Sequence, residues 1–452
     1  MSKVIKLKKG LDIKLVGAAE KTVVEMPVKG LYASCPTDYE GCTPKILVKV
    51  GDVVKAGSPL YFDKNRPEVM FCSPVSGVVN AINRGEKRKV LSVVVEADGK
   101  QESESFATDL ATLSREELVK TLLDSGLWSL FLQRPYGVIP SPAVAPRAIF
   151  VSAFDSAPLA ADMAFVLEGE KENLQKGIEV LSKLTDGKVY VGLKSGVKSV
   201  CEELQGAEKF YFDGPHPAGN VGVQIHHIAP ISAGEVVWTV NVQDLAIIGC
   251  LFRTGAMDMT RTVAVTGSQI EKPQYVKCVA GAPVNAVVAA AGGVKAQKEG
   301  DSVRLIDGNV LTGTKRSADD YCSIKCNQIT AIPEGNKYEF LGWAMPRLNK
   351  FSASHSYFSW LCPKKEYDLD TNLNGGVRAY VVTGLYEKLL PMDIYPMYLL
   401  KAILAQDFDK MIGLGIYEVV EEDLALCEFA DPSKTEIQTI LRDGINLMIK
   451  EM

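Results

Sequence analysis

The chain has 452 residues, 47% hydrophobic and 23% charged, with a formal net charge of −5. That length exceeds a single hydrophobic core and predicts about two to four domains. The composition excludes disordered and fibrous classes, and the near-balanced charge gives no electrostatic footprint for nucleic acid.

From Lys3 to about Gly99 short apolar runs alternate with turn residues, as in "KILVKVGDVVKAGSPLYF" and "KVLSVVVEADG". This pattern predicts a small β-sandwich or barrel over residues 1–102. Within it, "LYFDKNRPEVMFCSPVSGVV" at 60–79 has the Asp-Lys dipeptide and following Ser-Pro-x-x-Gly turn with which a lipoyl carrier presents its acylated lysine. Lys64 is therefore a candidate attachment site for a lipoyl or biotinyl arm. Pro74 lies ten positions beyond Lys64, and "NRP" adds a stiffening proline. The hairpin is accordingly expected to be lengthened into a loop that contacts a neighbouring domain or subunit.

At Ser114 the period changes: Ser114 and Glu117 form a capping-box pattern, Leu118, Leu122 and Leu123 share a face, and Gly126 ends the helix. After the Pro-rich "RPYGVIPSPAVAPR", strands "AIFVSAFD", "KVYVGLK" and "KFYFDG" alternate with helical "PLAADMAFVLE", "EKENLQKGIEVLSKLTDG" and "VKSVCEEL". Such alternation predicts a Rossmann-like α/β domain with a mainly parallel sheet over residues 103–255. Residues 256–330 read as two strands, a small-residue helix and a further strand, a small α+β domain of ubiquitin-like plan. Residues 331–452 form an aromatic connecting segment and a helical C-terminus, where Ser433 and Glu436 suggest a second capping box and Ile437, Ile440, Leu441, Ile445 and Met448 one apolar face.

The amino terminus "MSKVIKLKKG" lacks the apolar core of a secretory signal, and the run at 278–294 is interrupted by Pro283 and Asn285 and too weakly apolar to span a bilayer. A cytoplasmic chain follows, with any membrane link made through a partner.

A dinucleotide fold needs a Gly-rich turn after its first strand so that backbone amides approach the pyrophosphate. Here that turn reads "AFDSAPLAAD", without glycine, and no Walker-type loop occurs. The ten cysteines form no disulfide framework; Cys322/Cys326 and Cys35/Cys42 are the closest pairs, and one pair cannot ligate an iron–sulfur cluster. Buried or loop thiols are the simpler reading. Three of the four histidines, His216, His226 and His227, fall in "DGPHPAGNVGVQIHHIAP", which reads as a polar, Gly-rich loop. If that segment is extended, His226 and His227 project oppositely and cannot easily share a metal, which leaves structural hydrogen bonding. No metal site is predicted, and no catalytic residue.

Several long stretches, "DGPHPAGNVGVQIHHIAPIS", "VWTVNVQDLAIIGCLFRTG", "VLTGTKRSADDYCSIKCNQITAIPEG" and "LGIYEVVEEDLALCEF", resemble in order and nearly end to end the A subunits of bacterial sodium-translocating NADH:quinone reductases. The resemblance implies a lipoyl/biotinyl-like barrel-sandwich hybrid, a Rossmann-like domain, an SLBB-type ubiquitin-like domain and a helical C-terminus, related in fold to RnfC and to the flavoprotein subunit of complex I. It also implies a peripheral subunit on the cytoplasmic side of the bacterial inner membrane, held by five other subunits, chiefly the membrane-embedded B subunit. Such a subunit carries no redox cofactor of its own: NADH, FAD, FMN and iron–sulfur centres belong to its partners, and ubiquinone is the substrate of the complex. The family's association with quinone makes Trp343, Phe351, His355, Tyr357, Phe358 and Trp360 candidates for an apolar cleft with a few donors to the quinone carbonyls. The alternative is that these aromatics are core, or a docking surface for a membrane subunit. An independent flavoprotein dehydrogenase finds no signature.

Overall fold

The computed structural model describes residues 3–451 apart from 336, 338, 344, 346 and 381–383. The α/β domain is built on a six-stranded sheet in the order Lys3–Lys6, Glu208–Asp213, Lys188–Lys194, Ala148–Ser152, Val237–Asn241, Leu132–Arg134. Every pairing is parallel except that of Leu132–Arg134, which runs antiparallel on Val237–Asn241. The run "AIFV" is apolar throughout because both faces of its strand are covered. Ile149 and Val151 join the core under helices Lys171–Leu184 and Val242–Thr254, while Ala148 and Phe150 pack with Ile225 of helix Val221–Ile228. The first pair of helices crosses at glycine: a Cβ on Gly249 would stand 1.7 Å from the Asn173 carbonyl oxygen.

Ser114 caps Arg115–Asp124 as expected, its hydroxyl accepting the Glu117 N–H at 3.2 Å while the Glu117 carboxylate accepts the Ser114 N–H at 2.8 Å. Three local expectations need correction. "PLAADMAFVLE" is helical only over Met163–Val166, capped by Asp162, and "VKSVCEEL" only as the 3-10 turn Val200–Glu203. The supposed loop around His226 is the helix Val221–Ile228.

Residues 30–97 form the barrel-sandwich: a four-stranded sheet (Gly30–Ser34, Val90–Ala97, Gly77–Arg84, Val53–Val54) faces a three-stranded one (Pro44–Ile46, Pro59–Asp63, Arg66–Cys72). Between them lie Tyr32, Leu60, Tyr61, Val69, Val79 and Val93, each at most 1% exposed. The strands before Gly30 leave this unit. Lys3–Lys6 is an edge of the α/β sheet, and Glu20–Glu25 is an edge of a third, six-stranded sheet. A strand of four or six residues, KVIK or EKTVVE, carries no mark of which sheet it will join.

The third sheet orders Thr314–Arg316, Val303–Asp307, Gln328–Pro333, Thr260–Thr266, Gln274–Val279 and Glu20–Glu25, with helix Val284–Ala290 packed on it. The C-terminal helices, among them Pro396–Leu404, Glu421–Ala430 and Ile437–Glu451, share a core with Phe210, Phe212 and Val223 of the α/β domain. The expected Ser433/Glu436 box does not form. Asp431 accepts the Ser433 and Thr435 N–H groups, and Glu428 accepts Gln438 N–H at 2.7 Å, so a preceding helix caps the last one. On that last helix Ile437, Leu441, Ile445 and Met448 are buried as the periodicity predicts, with Ile440 at the margin.

Candidate functional site

In a doubly wound sheet ligands bind outside the carboxyl ends of the strands, where the strand order reverses, and phosphates favour helix N-termini. Here the order reverses between Ala148–Ser152 and Val237–Asn241. The loop after Ala148–Ser152 is tied down by its own side chains. Ser156 Oγ accepts the Gly219 N–H at 2.8 Å and bonds His216 Nδ1 at 3.0 Å. Burial pushes the His216 imidazole down against the pull of Asp155 and Asp12, which favours the uncharged ring.

The N-terminus of helix Val221–Ile228 is filled from within the chain. The Asp423 carboxylate, on helix Glu421–Ala430, presses on Gly222 so closely that a Cβ there would lie 2.4 Å from Oδ1. Asn220 Nδ2 donates to the Glu422 carbonyl oxygen at 2.9 Å. Asp423 Oδ2 accepts from Arg134 Nη1 at 2.9 Å and from Val420 N–H at 3.0 Å, whereas Oδ1 has no hydrogen-bond partner among the described residues. Arg134 also bonds the Glu422 carboxylate. Burial, reinforced by Asp423 and Asp155 and opposed by Arg134, pushes the Glu422 carboxyl up to about 7. The place an anionic ligand would take is thus occupied by the protein's own carboxylate, already paired with a guanidinium.

The tip of the barrel-sandwich corrects the expected long loop. Asp63 pairs with Arg66, leaving Lys64 and Asn65 as a two-residue turn with Lys64 exposed. The register jumps from Asp63↔Arg66 to Phe62↔Met70, so the extra residues, Pro67 among them, bulge out of the second strand and leave the tip short. Asp63, fully buried, pins the turn by accepting from Thr43 N–H, Asn65 N–H and Arg66 Nε at 3.1, 3.2 and 3.1 Å. Arg66 in turn donates to the Ile139 carbonyl oxygen of the next domain.

Among the described residues, the six aromatic candidates differ in placement. Tyr357 is buried and donates to the Gly342 carbonyl oxygen at 2.5 Å; Phe351 is half-buried, its ring 5.8 Å from Tyr367 and 6.1 Å from Phe429. Trp343, Phe358 and Trp360 point outward, with both indoles 53% exposed, and His355 stacks on Trp360 at 5.9 Å. Two open grooves of about 590 and 640 Å³ lie elsewhere, the first lined by Tyr398, Lys401 and Leu414, the second by Leu110, Ile178 and Lys183.

His226 is held by structure: Nδ1 is 2.7 Å from Glu418 and Nε2 accepts the Asp393 N–H at 3.0 Å, while His227 Nδ1 lies 2.9 Å from the Val223 carbonyl oxygen. The apolar period of "VGVQIHHI" after Asn220 is the signal for this helix that a loop reading overlooks. Burial pushes the Cys35 and Cys42 thiols up to about 12, and Cys322 and Cys326 are each 3% exposed. Among the described residues no group of three or more His, Cys, Asp or Glu could hold a metal ion, and no helix is long and apolar enough to cross a membrane.

Three family models match the chain: the NqrA N-terminal barrel-sandwich hybrid domain over residues 5–98, the NqrA second alpha/beta domain over 113–257 and the NQRA C-terminal domain over 262–318. The Na(+)-translocating NADH-quinone reductase A subunits of Hahella chejuensis, Neisseria meningitidis and Yersinia pestis are each 40% identical to it, over 99% of this chain and 100% of theirs. A solved NAD+-reducing [NiFe]-hydrogenase aligns over 75% of this chain and 61% of its own, with 11% identity and a TM-score of 0.38.

Proposed function

The chain belongs to the A-subunit family of Na+-translocating NADH-quinone reductases, and from that premise we propose that it is a docking and structural subunit, attached peripherally to the cytoplasmic face of a sodium-pumping oxidoreductase. It carries no redox cofactor of its own. NADH oxidation, the FAD, FMN and iron–sulfur centres, ubiquinone reduction and sodium passage belong to the partner subunits, chiefly the membrane-embedded B subunit. The observation that carries this reading is the closed crevice: Asp423, Arg134 and Glu422 stand where an α/β domain would receive a nucleotide phosphate.

An anion entering there would meet the Asp423 carboxylate, buried and already paired with Arg134 at 2.9 Å, and bringing a second negative charge into that buried contact is costly because its counter-ion is already committed. The same cluster locks the C-terminal helices onto the α/β domain. The domain is thereby a rigid platform rather than a catalytic one. The test is purification of the tagged chain from detergent-solubilised membranes of its host: the other reductase subunits are expected with it, and the isolated chain is expected to be colourless. A chain that purifies alone, or with flavin absorbance, defeats the proposal.

One observation favours a second reading, an acyl carrier using Lys64: the lysine stands exposed on a tight, pinned hairpin. Intact mass of the chain from its host separates the two, because an attached lipoyl or biotinyl group adds a discrete increment and the docking reading expects none.

A further inference from the structure

Asn374, in "TNLNGGVR", is the one asparagine of the chain that is followed by glycine. An Asn-Gly step brings a side-chain amide close to a backbone nitrogen that no neighbouring Cβ shields. Such steps commonly close hairpins, where the ladder holds the backbone in place. This one lies in an irregular stretch instead.

The backbone around the step is open. Gly375 and Gly376 are exposed, and Gly375 sits at φ +121°, a conformation that favours glycine. A Cβ on Gly375 would meet only Lys434 Cε, at 3.5 Å, and one on Gly376 would meet nothing within 4 Å. Among the described residues no acceptor takes the Gly375 N–H. The stretch is nevertheless fastened at both ends: Thr371 Oγ1 accepts the Gly335 N–H at 2.8 Å, and the Arg378 N–H donates to the Ser433 carbonyl oxygen at 3.0 Å.

The side-chain amide is polarised from the other side. Lys350 Nζ donates to Asn374 Oδ1 at 3.1 Å, and because an ammonium can only donate, this contact fixes which end of the amide is oxygen. Asn374 Nδ2 points the other way, 3.4 Å from the Asn372 carbonyl oxygen. The Lys350 side chain is 12% exposed and is held by Glu339 at 2.8 Å, so the cation is fixed and largely shielded from water. A cation on Oδ1 draws electron density from Cγ and stands where negative charge gathers when a nucleophile adds to that carbon.

We infer that Asn374 is a site of spontaneous deamidation in the folded chain, promoted by the Lys350 ammonium on its amide oxygen. The Gly375 nitrogen gives up its proton and attacks Asn374 Cγ. The Cγ–Nδ2 bond breaks, and ammonia leaves with that proton. One water molecule then opens the cyclic imide at either carbonyl, giving aspartate or isoaspartate with no change of oxidation state. Either product sets a carboxylate beside Lys350, which Glu339 already engages. Isoaspartate also reroutes the main chain through a side-chain carbon, in a stretch anchored at Thr371 and Arg378. Copies of the chain therefore acquire a negative charge with age, between the third sheet and the C-terminal helices.

The test follows residue 374 by peptide mapping of the full chain incubated at neutral pH, native and in denaturant, with the acid and isoaspartyl products separated and weighed. Native wild type is expected to deamidate about threefold faster than denatured wild type, and Lys350→Met to lower the native rate about fivefold while leaving the denatured rate unchanged. Lys350→Arg keeps a cation and should stay within about twofold of wild type. If Lys350→Met melts early, Lys350→Gln is read in the same way, and the comparison of native with denatured wild type needs no variant at all. A native rate below the denatured rate shows that the fold protects Asn374 and overturns the inference. So does a Lys350→Met chain that deamidates as fast as wild type in the native state, or one slowed equally in denaturant.

Discussion

Replacing Arg134 by Met should unlock the C-terminal helices from the α/β domain. The side chain is 4% exposed and meets the Asp423 carboxylate, itself 0% exposed, at 2.9 Å, with a further bond to Glu422. Met keeps most of the aliphatic packing, so the loss is electrostatic: Asp423 is left with one hydrogen bond among the described residues, from Val420 N–H at 3.0 Å. Removing one partner of a buried pair costs about 3–5 kcal/mol, which for a unit of this size lowers the melting temperature by roughly 6–20 °C. The sign with pH follows from Glu422. Its carboxyl stands at about 7 in the fold against an ordinary value of 4.5, so its contribution to stability is fully present below 4.5 and is lost as pH rises through 7. Without Arg134, which holds it down, the Glu422 carboxyl takes up its proton more readily. The deficit of the variant should therefore be largest near pH 8 and shrink by pH 5.5. Calorimetric melts of wild type and variant at the two pH values measure this, and a variant within about 2 °C of wild type at pH 8, or equally destabilised at both, refutes the reasoning.

Gly222→Ala places a methyl 2.4 Å from the Asp423 carboxylate oxygen and should cost about 1–3 kcal/mol by overpacking, read as a shift in denaturant midpoint at constant slope. Glu334 is pulled down to about 2, chiefly by Arg304 and also by Lys315 and Thr371, from 4.5. Its stabilisation is present above 4.5 and lost as pH falls through 2, so Glu334→Gln should cost about 2 kcal/mol at pH 7, allowing for partly exposed partners, and almost nothing at pH 2. Because Trp343 and Trp360 are each 53% exposed while Tyr357 is buried, the isolated chain should bind a short-tailed quinone analogue weakly or not at all by calorimetry; submicromolar one-to-one binding would contradict this.

What the sequence made legible was what is encoded locally. The Ser114/Glu117 box closes across three residues, and the apolar runs of the sheet strands declare burial on both faces. The order of domains followed from the same patterns together with the family's long motifs. The misreadings share a physical cause. "HHI" looked like loop because Gly and Pro precede it, although the helical period begins one residue after Asn220. The bulge at Pro67 moved inserted residues out of a hairpin tip, where residue counting had left them. Nothing local separates Trp343 from Tyr357, since an aromatic ring declares hydrophobicity but not direction.

The acids "EED" at 421–423 show why the central feature was the least legible. By composition they are a helix N-terminus with favourable charge, a solvated motif. Glu421 pairs locally with Arg442, but Arg134, the partner of Glu422 and Asp423, lies 289 residues before Asp423, and only the packing of the C-terminal helices on Phe210, Phe212 and Val223 brings them together. Yet the trade made there explains the division of labour in the fold. A nucleotide-type α/β domain with an open crevice needs its helix N-terminus free and its loops mobile enough to admit a ligand. This chain instead commits both to internal contacts: Gly222 to Asp423, Ser156 to Gly219 and His216. Rigidity gained at the crevice is what the docking role proposed above would use, because a surface held in fixed relation to the sheet transmits position without doing chemistry.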